Sequence, residues 1–219
     1  MTTNPSAWYP VARSDELRPG SNIVGGFANG VELALWRSAS GEAQAWENRC
    51  PHRSVRFTLG QVVSDRLSCA YHGWQYAAGS GQCAGIPAHP EMAPPRNVCA
   101  KTFPVVEASG MVWAGFEPQG AAHPPTDALP AGWSFCRSLV IRKPFGVVSH
   151  AFEVAGWREA TPGWMSELGG VAVLAILLDA QPHFSIAHLW TEAMPGSSQM
   201  ARLHIAARRM RRDIDSSSD

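Results

Sequence analysis

Two short stretches of this chain each join a cysteine to a histidine. Cys50 stands two residues before His52, Cys69 three before His72, and sixteen residues lie between the pairs. Thiolates and neutral imidazoles are metal ligands. A structural zinc site uses the same donors, but zinc-finger spacing groups the cysteines first and the histidines afterwards. Here each stretch supplies one of each. That order suits a binuclear centre in which one metal takes both thiolates and the other both imidazoles, with inorganic sulfide between them.

Two histidines in place of two cysteines on one iron define the Rieske [2Fe-2S] arrangement. Neutral ligands make such a cluster less negative and easier to reduce. The surrounding residues are Cys50-Pro51-His52-Arg53, Cys69-Ala70-Tyr71-His72-Gly73-Trp74-Gln75-Tyr76 and Gly81-Gln82-Cys83-Ala84-Gly85-Ile86-Pro87. On these motifs the chain resembles the Rieske non-haem iron oxygenase family, the ring-hydroxylating and vanillate O-demethylase-like oxygenase components, over roughly residues 8–116. The resemblance implies that Cys50 and Cys69 hold the ferric iron and His52 and His72 the iron nearer solvent. It places Gly73 and Trp74 under the second cluster loop and Pro87 in a covering loop. Respiratory Rieske proteins carry a further disulfide-forming cysteine in each loop, where this chain has Val55 and Tyr71. They also place a serine where Trp74 stands. Fewer hydrogen bonds to cluster sulfur lower the potential, so a value near the bottom of the Rieske span of about −150 to +300 mV is expected. Cys83, Cys99 and Cys136 have no ligand-like spacing and read as buried small hydrophobes.

Oxygenases of this family also hold a mononuclear iron on two histidines and a carboxylate, a facial triad. The nearest pattern here runs Asp179-Ala180-Gln181-Pro182-His183-Phe184-Ser185-Ile186-Ala187-His188. Its histidine interval fits the family, but the acid lies one residue too far away and Pro182 disfavours a continuous helix. His183 and His188 therefore read as strand or turn residues, and no mononuclear non-haem Fe(II) is expected on this chain.

The elements that must position these residues read as short strands and turns. VELALWR and EAQAWEN flank Ser38 to Gly41, and further turns fall at Ser64-Asp65, Gly79-Ser80-Gly81 and Ala108-Ser109-Gly110. In the strand after Gly110, Val112 and Ala114 alternate with Met111 and Trp113. EPQGAAHPPTDALPAG, residues 117–132, is Pro- and Gly-rich, which sets a domain boundary between 1–120 and 121–219. Beyond it SLVIRK and SIAHLWTEA read as strands and VAVLAILL as a buried strand or short core helix. ARLHIAARRMRR reads as a strand running into a charged tail. The expected fold is mainly β: an antiparallel Rieske domain, then a shortened α+β, helix-grip-like remnant of a catalytic domain.

The chain has 219 residues, 18 basic against 18 acidic, 16% charged and 45% hydrophobic, with nine tryptophans. Neutral net charge gives no broad attraction for nucleic acid or anionic lipid. Charge this sparse, against a usual share of about 25%, hints at surface buried against other subunits. No apolar stretch approaches membrane-spanning length and the first twenty residues lack a secretory pattern, so a cytoplasmic protein without a membrane partner is expected. The expected function is that of an oxygenase-system component. It would relay electrons from a ferredoxin or flavin reductase to a mononuclear iron on another subunit, in a homo- or hetero-oligomer of the trimer-based kind usual in the family. The alternatives are a free-standing Rieske electron carrier or regulatory subunit, and a degenerate remnant without activity.

Overall fold

The computed structural model describes residues 8–116, 129, 131–192 and 195–217. Two compact units emerge: residues 8–27 with 31–116, and residues 28–30 with those from 129 onward. Of the Pro/Gly-rich segment in which the sequence sets the boundary, residues 117–128 and 130 lie outside the described residues.

Unit one is built from eleven short strands: β1 (Trp8–Arg13), β2 (Ile23–Ala28), β3 (Val31–Arg37), β4 (Ala43–Glu47), β5 (Gln61–Val63), β6 (Arg66–Ser68), β7 (Gln75–Ala77), β8 (Cys83–Gly85), β9 (Thr102–Phe103), β10 (Val105–Ala108) and β11 (Met111–Gly115). They form three sheets, ordered β1-β11-β10, β2-β3-β4-β9 and β5-β6-β7-β8. The turns read from sequence are present, and Ser109-Gly110 has both residues at positive φ (51° and 75°). That is the type I′ geometry whose twist matches the strands it joins. The alternation read in β11 does not separate an inside from an outside. All five of its residues are buried, because β11 is the central strand of its sheet. Arg37, at the end of β3, clamps this unit. Its guanidinium donates to both carboxylate oxygens of Glu107 (2.8 and 2.6 Å) and to the carbonyls of Leu17 and Gly41.

Unit two carries one five-stranded antiparallel sheet. Its strands are β12 (Trp133–Ile141), β13 (Arg158–Ala160), β14 (Gly163–Glu167), β15 (Ala172–Gln181) and β16 (Phe184–Glu192), in the order β12-β16-β15-β14-β13. VAVLAILL is therefore strand β15, not a helix. Two helices, α1 (Phe145–Val154) and α2 (Ser197–Ser216), share a core with the sheet face formed by Leu139, Ile141, Val173, Ala175, Ala187 and Leu189. Residues two apart on a strand share a face, which is how this apolar layer forms. Val148 and Phe152 of α1 and Leu203, Ala207 and Ile214 of α2 complete it.

The segment read as a strand with a charged tail is α2. Its inward residues are Met200, Leu203, Ala207, Met210 and Ile214. Steps of three and four residues are the helical period, and Arg202, Arg208, Arg209 and Arg212 fall on the exposed side. Gln199 reaches back to accept from the Gly196 N–H (3.1 Å), capping the first turn. Helix α1 has no counterpart in the sequence reading either. It opens after Pro144, whose carbonyl accepts from Val147 and Val148, and the Val-Val pair hides its helical character.

Two glycines measure how tightly this unit is assembled. A Cβ at Gly163 would stand 2.1 Å from the Ala175 carbonyl oxygen, whereas one at Gly146 in α1 would meet nothing within 4 Å. Gly163→Ala is expected to lower unfolding stability by roughly 1–3 kcal/mol through forced strand separation. Gly146→Ala should raise it by about 0.5–1 kcal/mol through helix propensity. Thermal and denaturant unfolding of the two variants will show whether the shifts have opposite sign.

Candidate metal centre

The two cysteine–histidine stretches fold into the same turn. In the first, the Cys50 N–H donates to the Val55 carbonyl (2.8 Å) and the Cys50 carbonyl accepts from the Ser54 N–H (2.8 Å). In the second, the Cys69 N–H donates to the Trp74 carbonyl (2.9 Å) and the Cys69 carbonyl accepts from the Gly73 N–H (3.0 Å). Each turn closes through a left-handed residue four positions after its cysteine, Ser54 (φ 59°) and Gly73 (φ 68°). Only the histidine differs in register, third in one turn and fourth in the other. The turns therefore present their cysteines alike.

Close backbone packing sets the loops beside each other. A Cβ on Gly60, at the exit of the first loop, would lie 2.2 Å from the Ser68 carbonyl oxygen, just ahead of Cys69. The Ser68 hydroxyl in turn donates to the Gly73 carbonyl (3.2 Å) and steadies the second loop. The Pro87 ring lies against Gly73, where the resemblance placed a covering loop.

The four side chains come together as two pairs. Cys50 and Cys69 are 1% and 4% exposed, and Cys50 is close enough to act on the Cys69 thiol. The His52 and His72 rings lie 5.0 Å apart at 56°, with His52 half-buried and His72 exposed. Trp74 stacks on His52 with centroids 4.0 Å apart and planes within 9°. Tyr71 covers His72 at 3.8 Å while itself 61% exposed. Among the described residues no three His, Cys, Asp or Glu side chains are grouped so as to hold one metal ion.

Burial pushes the Cys69 thiol above its ordinary value, while the backbone N–H groups of Tyr71 and His72 pull the other way. Burial, the neighbouring His72 and the Arg53 charge, in that order, hold His52 below the usual imidazole range and favour its neutral, ligand-ready form. Behind the thiols stands Tyr76, fully buried, its hydroxyl 3.2 Å from the Cys50 sulfur. A thiolate can only accept, so against one Tyr76 donates. Phe57 packs edge-on against Tyr76, Trp46 against Phe57 and Trp36 against Trp46, with centroids 5.0–5.7 Å apart. Paired buried thiols and paired solvent-side rings fit a two-iron, two-sulfide cluster. Cys50 and Cys69 would hold one iron and His52 and His72 the other.

Tyr76 lies within the quoted motif, yet the sequence reading gave it no role. Its signal was a polar aromatic seven residues after Cys69 in a strand that returns beneath the loop. Cys83 is buried, as read, but Cys99 is exposed and Cys136 half-buried, so the three do not form one class. His183 is exposed in the turn between β15 and β16, and His188 is buried in β16 with its Nδ1 2.7 Å from the Ser138 hydroxyl. From Phe184 to His188 a strand advances about 13 Å, so these two histidines are not brought together. No described helix is long and apolar enough to cross a membrane.

Residues 7–104 match the Rieske [2Fe-2S] domain family. Over these residues the chain is similar to the Rieske [2Fe-2S] domain and to proteins named as oxygenase components. Oxidoreductase NdmD of Pseudomonas putida is 44% identical over 106 residues, 48% of this chain and 18% of that protein. The 3-chlorobenzoate-3,4-dioxygenase oxygenase subunit of Comamonas testosteroni is 36% identical over 107 residues, 48% of this chain and 24% of its own. Such alignments reach about half of this chain and only 18–33% of the relatives' lengths. In fold the likeness runs further. Apo dicamba monooxygenase superposes with a TM-score of 0.74 over 99% of this chain and 87% of its own, at 17% identity.

Tyr76→Phe removes the hydroxyl beside Cys50 without emptying the space. One hydrogen bond to sulfur, worth about 0.5–1.5 kcal/mol, converts to a fall in cluster reduction potential on the order of tens of millivolts for one electron. Spectroelectrochemical titration of the two proteins measures it.

Proposed function

We propose that this chain is the Rieske electron-transfer component of an oxygenase system for ring hydroxylation or O- or N-demethylation. In this reading it takes electrons from a ferredoxin or flavin reductase and passes them to a mononuclear iron on another subunit. Cys50, Cys69, His52 and His72 are the ligands of its [2Fe-2S] cluster, which when bound supplies one-electron transfer.

The observation that carries the reading is the unequal burial of the two donor pairs. Cys50 and Cys69 are closed off behind Tyr76, while His72 is exposed beside the exposed Tyr71. Electron tunnelling falls steeply with distance, so a partner that docks over His72 meets the centre at its thinnest cover. Trp74 fixes the His52 ring by stacking, and the twin turns fix the cysteines through backbone hydrogen bonds. None of these groups has to move when a partner arrives. Arg53 adds positive charge next to His52, which favours an acidic docking face on the donor.

The acceptor is assigned to another subunit because His183 and His188, the one pair with the family interval, lie on a turn and a buried strand position. Asp179 is an exposed residue of β15. Purified, cluster-loaded protein is expected to contain about two irons per chain, with acid-labile sulfide in equal amount. It should show no substrate-dependent oxygen uptake with a reductase alone. A third, exchangeable iron would overturn the assignment of the acceptor to another chain. His72→Cys is expected to lower the cluster potential or abolish the visible absorption. An unchanged spectrum and potential would remove His72 from the ligand set.

A further inference from the structure

Unit two holds a second group of metal-competent side chains, unrelated to the cluster loops. Cys136 of β12 has its sulfur 3.8 Å from Met200 Sδ and 3.9 Å from His204 Nε2. Met200 and His204 are four residues apart on α2 and so share one face of the helix. All three side chains are half-buried, within reach of solvent ions.

Cys136 reaches this position because strand β12 is irregular there. Phe135 pairs with Trp190 and Arg137 with Leu189, leaving Cys136 as an extra residue without a partner across the ladder. Such a bulge breaks alternation and re-aims a side chain. Leu139 and Ile141 face the core shared with α2. Strict alternation would put residue 137 on that face and residue 136 on the other. The bulge instead turns the thiol towards the helix and its two donors.

We propose that Cys136, Met200 and His204 form a three-coordinate site for one soft monovalent metal ion of the copper(I) class. With bonds of about 2.3 Å to sulfur and about 2.0 Å to nitrogen, trigonal donors stand roughly 3.7–4.0 Å apart, which spans both observed separations. Thiolate and thioether are soft donors that select copper(I), and imidazole is compatible with it. Charge supports a single positive ion. One thiolate neutralises it, while Arg137 and Arg208, close enough to act on His204, disfavour a divalent cation.

The test is an anaerobic competition in which cluster-loaded protein draws copper(I) from its bicinchoninate complex, up to one equivalent. Unsubstituted protein should take up one copper with its cluster absorption unchanged, and X-ray absorption should show sulfur and nitrogen neighbours. Cys136→Ser should lose that equivalent, and Met200→Leu and His204→Gln should each weaken it by at least about tenfold. Met200→Leu is close to volume-conserving and carries the test should Cys136→Ser fail to fold. Copper bound as tightly by the Cys136→Ser, His204→Gln double variant would overturn the site. So would bleaching of the cluster as copper enters, or stoichiometric displacement of the copper by zinc(II).

Discussion

The Rieske unit depends on one asymmetry: two thiols sealed inside the protein and two imidazoles left at its edge. A buried thiol resists ionisation, as burial shows at Cys69, so a cation is needed to make a thiolate pair there favourable. The same loops cannot bury their histidines, because each histidine sits at the tip of a turn whose ends are tied by its own cysteine. A cluster held by these four residues would place its metal charge where solvent is excluded, with the neutral ligands outward. Gly60, Ser68 and Pro87 keep the loops in contact. Tyr76, Phe57, Trp46 and Trp36 fill the interior behind them.

The second unit shows the opposite emphasis. Its sheet and helices are joined by a continuous apolar core, and its fold has counterparts in solved Rieske oxygenases although identity is only 17%. Packing of this kind tolerates wide substitution while volume and pattern are kept. A site does not, since a ligand is a particular atom at a particular place. That distinction explains how the fold can follow the oxygenases over nearly the whole chain while His183 and His188 do not meet.

The two Cys–His loops were legible as a pair because their information is local: four residues of metal-binding type within two short turns. Their equivalence was not, since Ser54 and Gly73 share a left-handed conformation that nothing in a serine codon for codon advertises. The backing role of Tyr76 was also hidden, as it depends on β7 returning beneath Cys50. Helix α2 was missed by a wrong period. Ala201, Leu203 and Ile205 alternate over a few residues like a strand, and only the longer steps from Met200 to Ile214 reveal the helix. Helix α1 was missed because its Val-Val and Gly residues have weak helical preference, which burial of Val148 and Phe152 overrides. The bulge at Cys136 could not be foreseen, because a register shift is set by the partner strand.

The row of edge-to-face rings from Trp36 to Tyr76 has a kinetic meaning. Interlocked aromatics are closely packed and bring few dipoles that are free to reorient. Little of the surrounding matter therefore has to rearrange when a single electron arrives or leaves. For a cluster held in these loops, that would keep the reorganisation energy small on the inner side and leave the solvent-facing rings as the part of the shell that must respond.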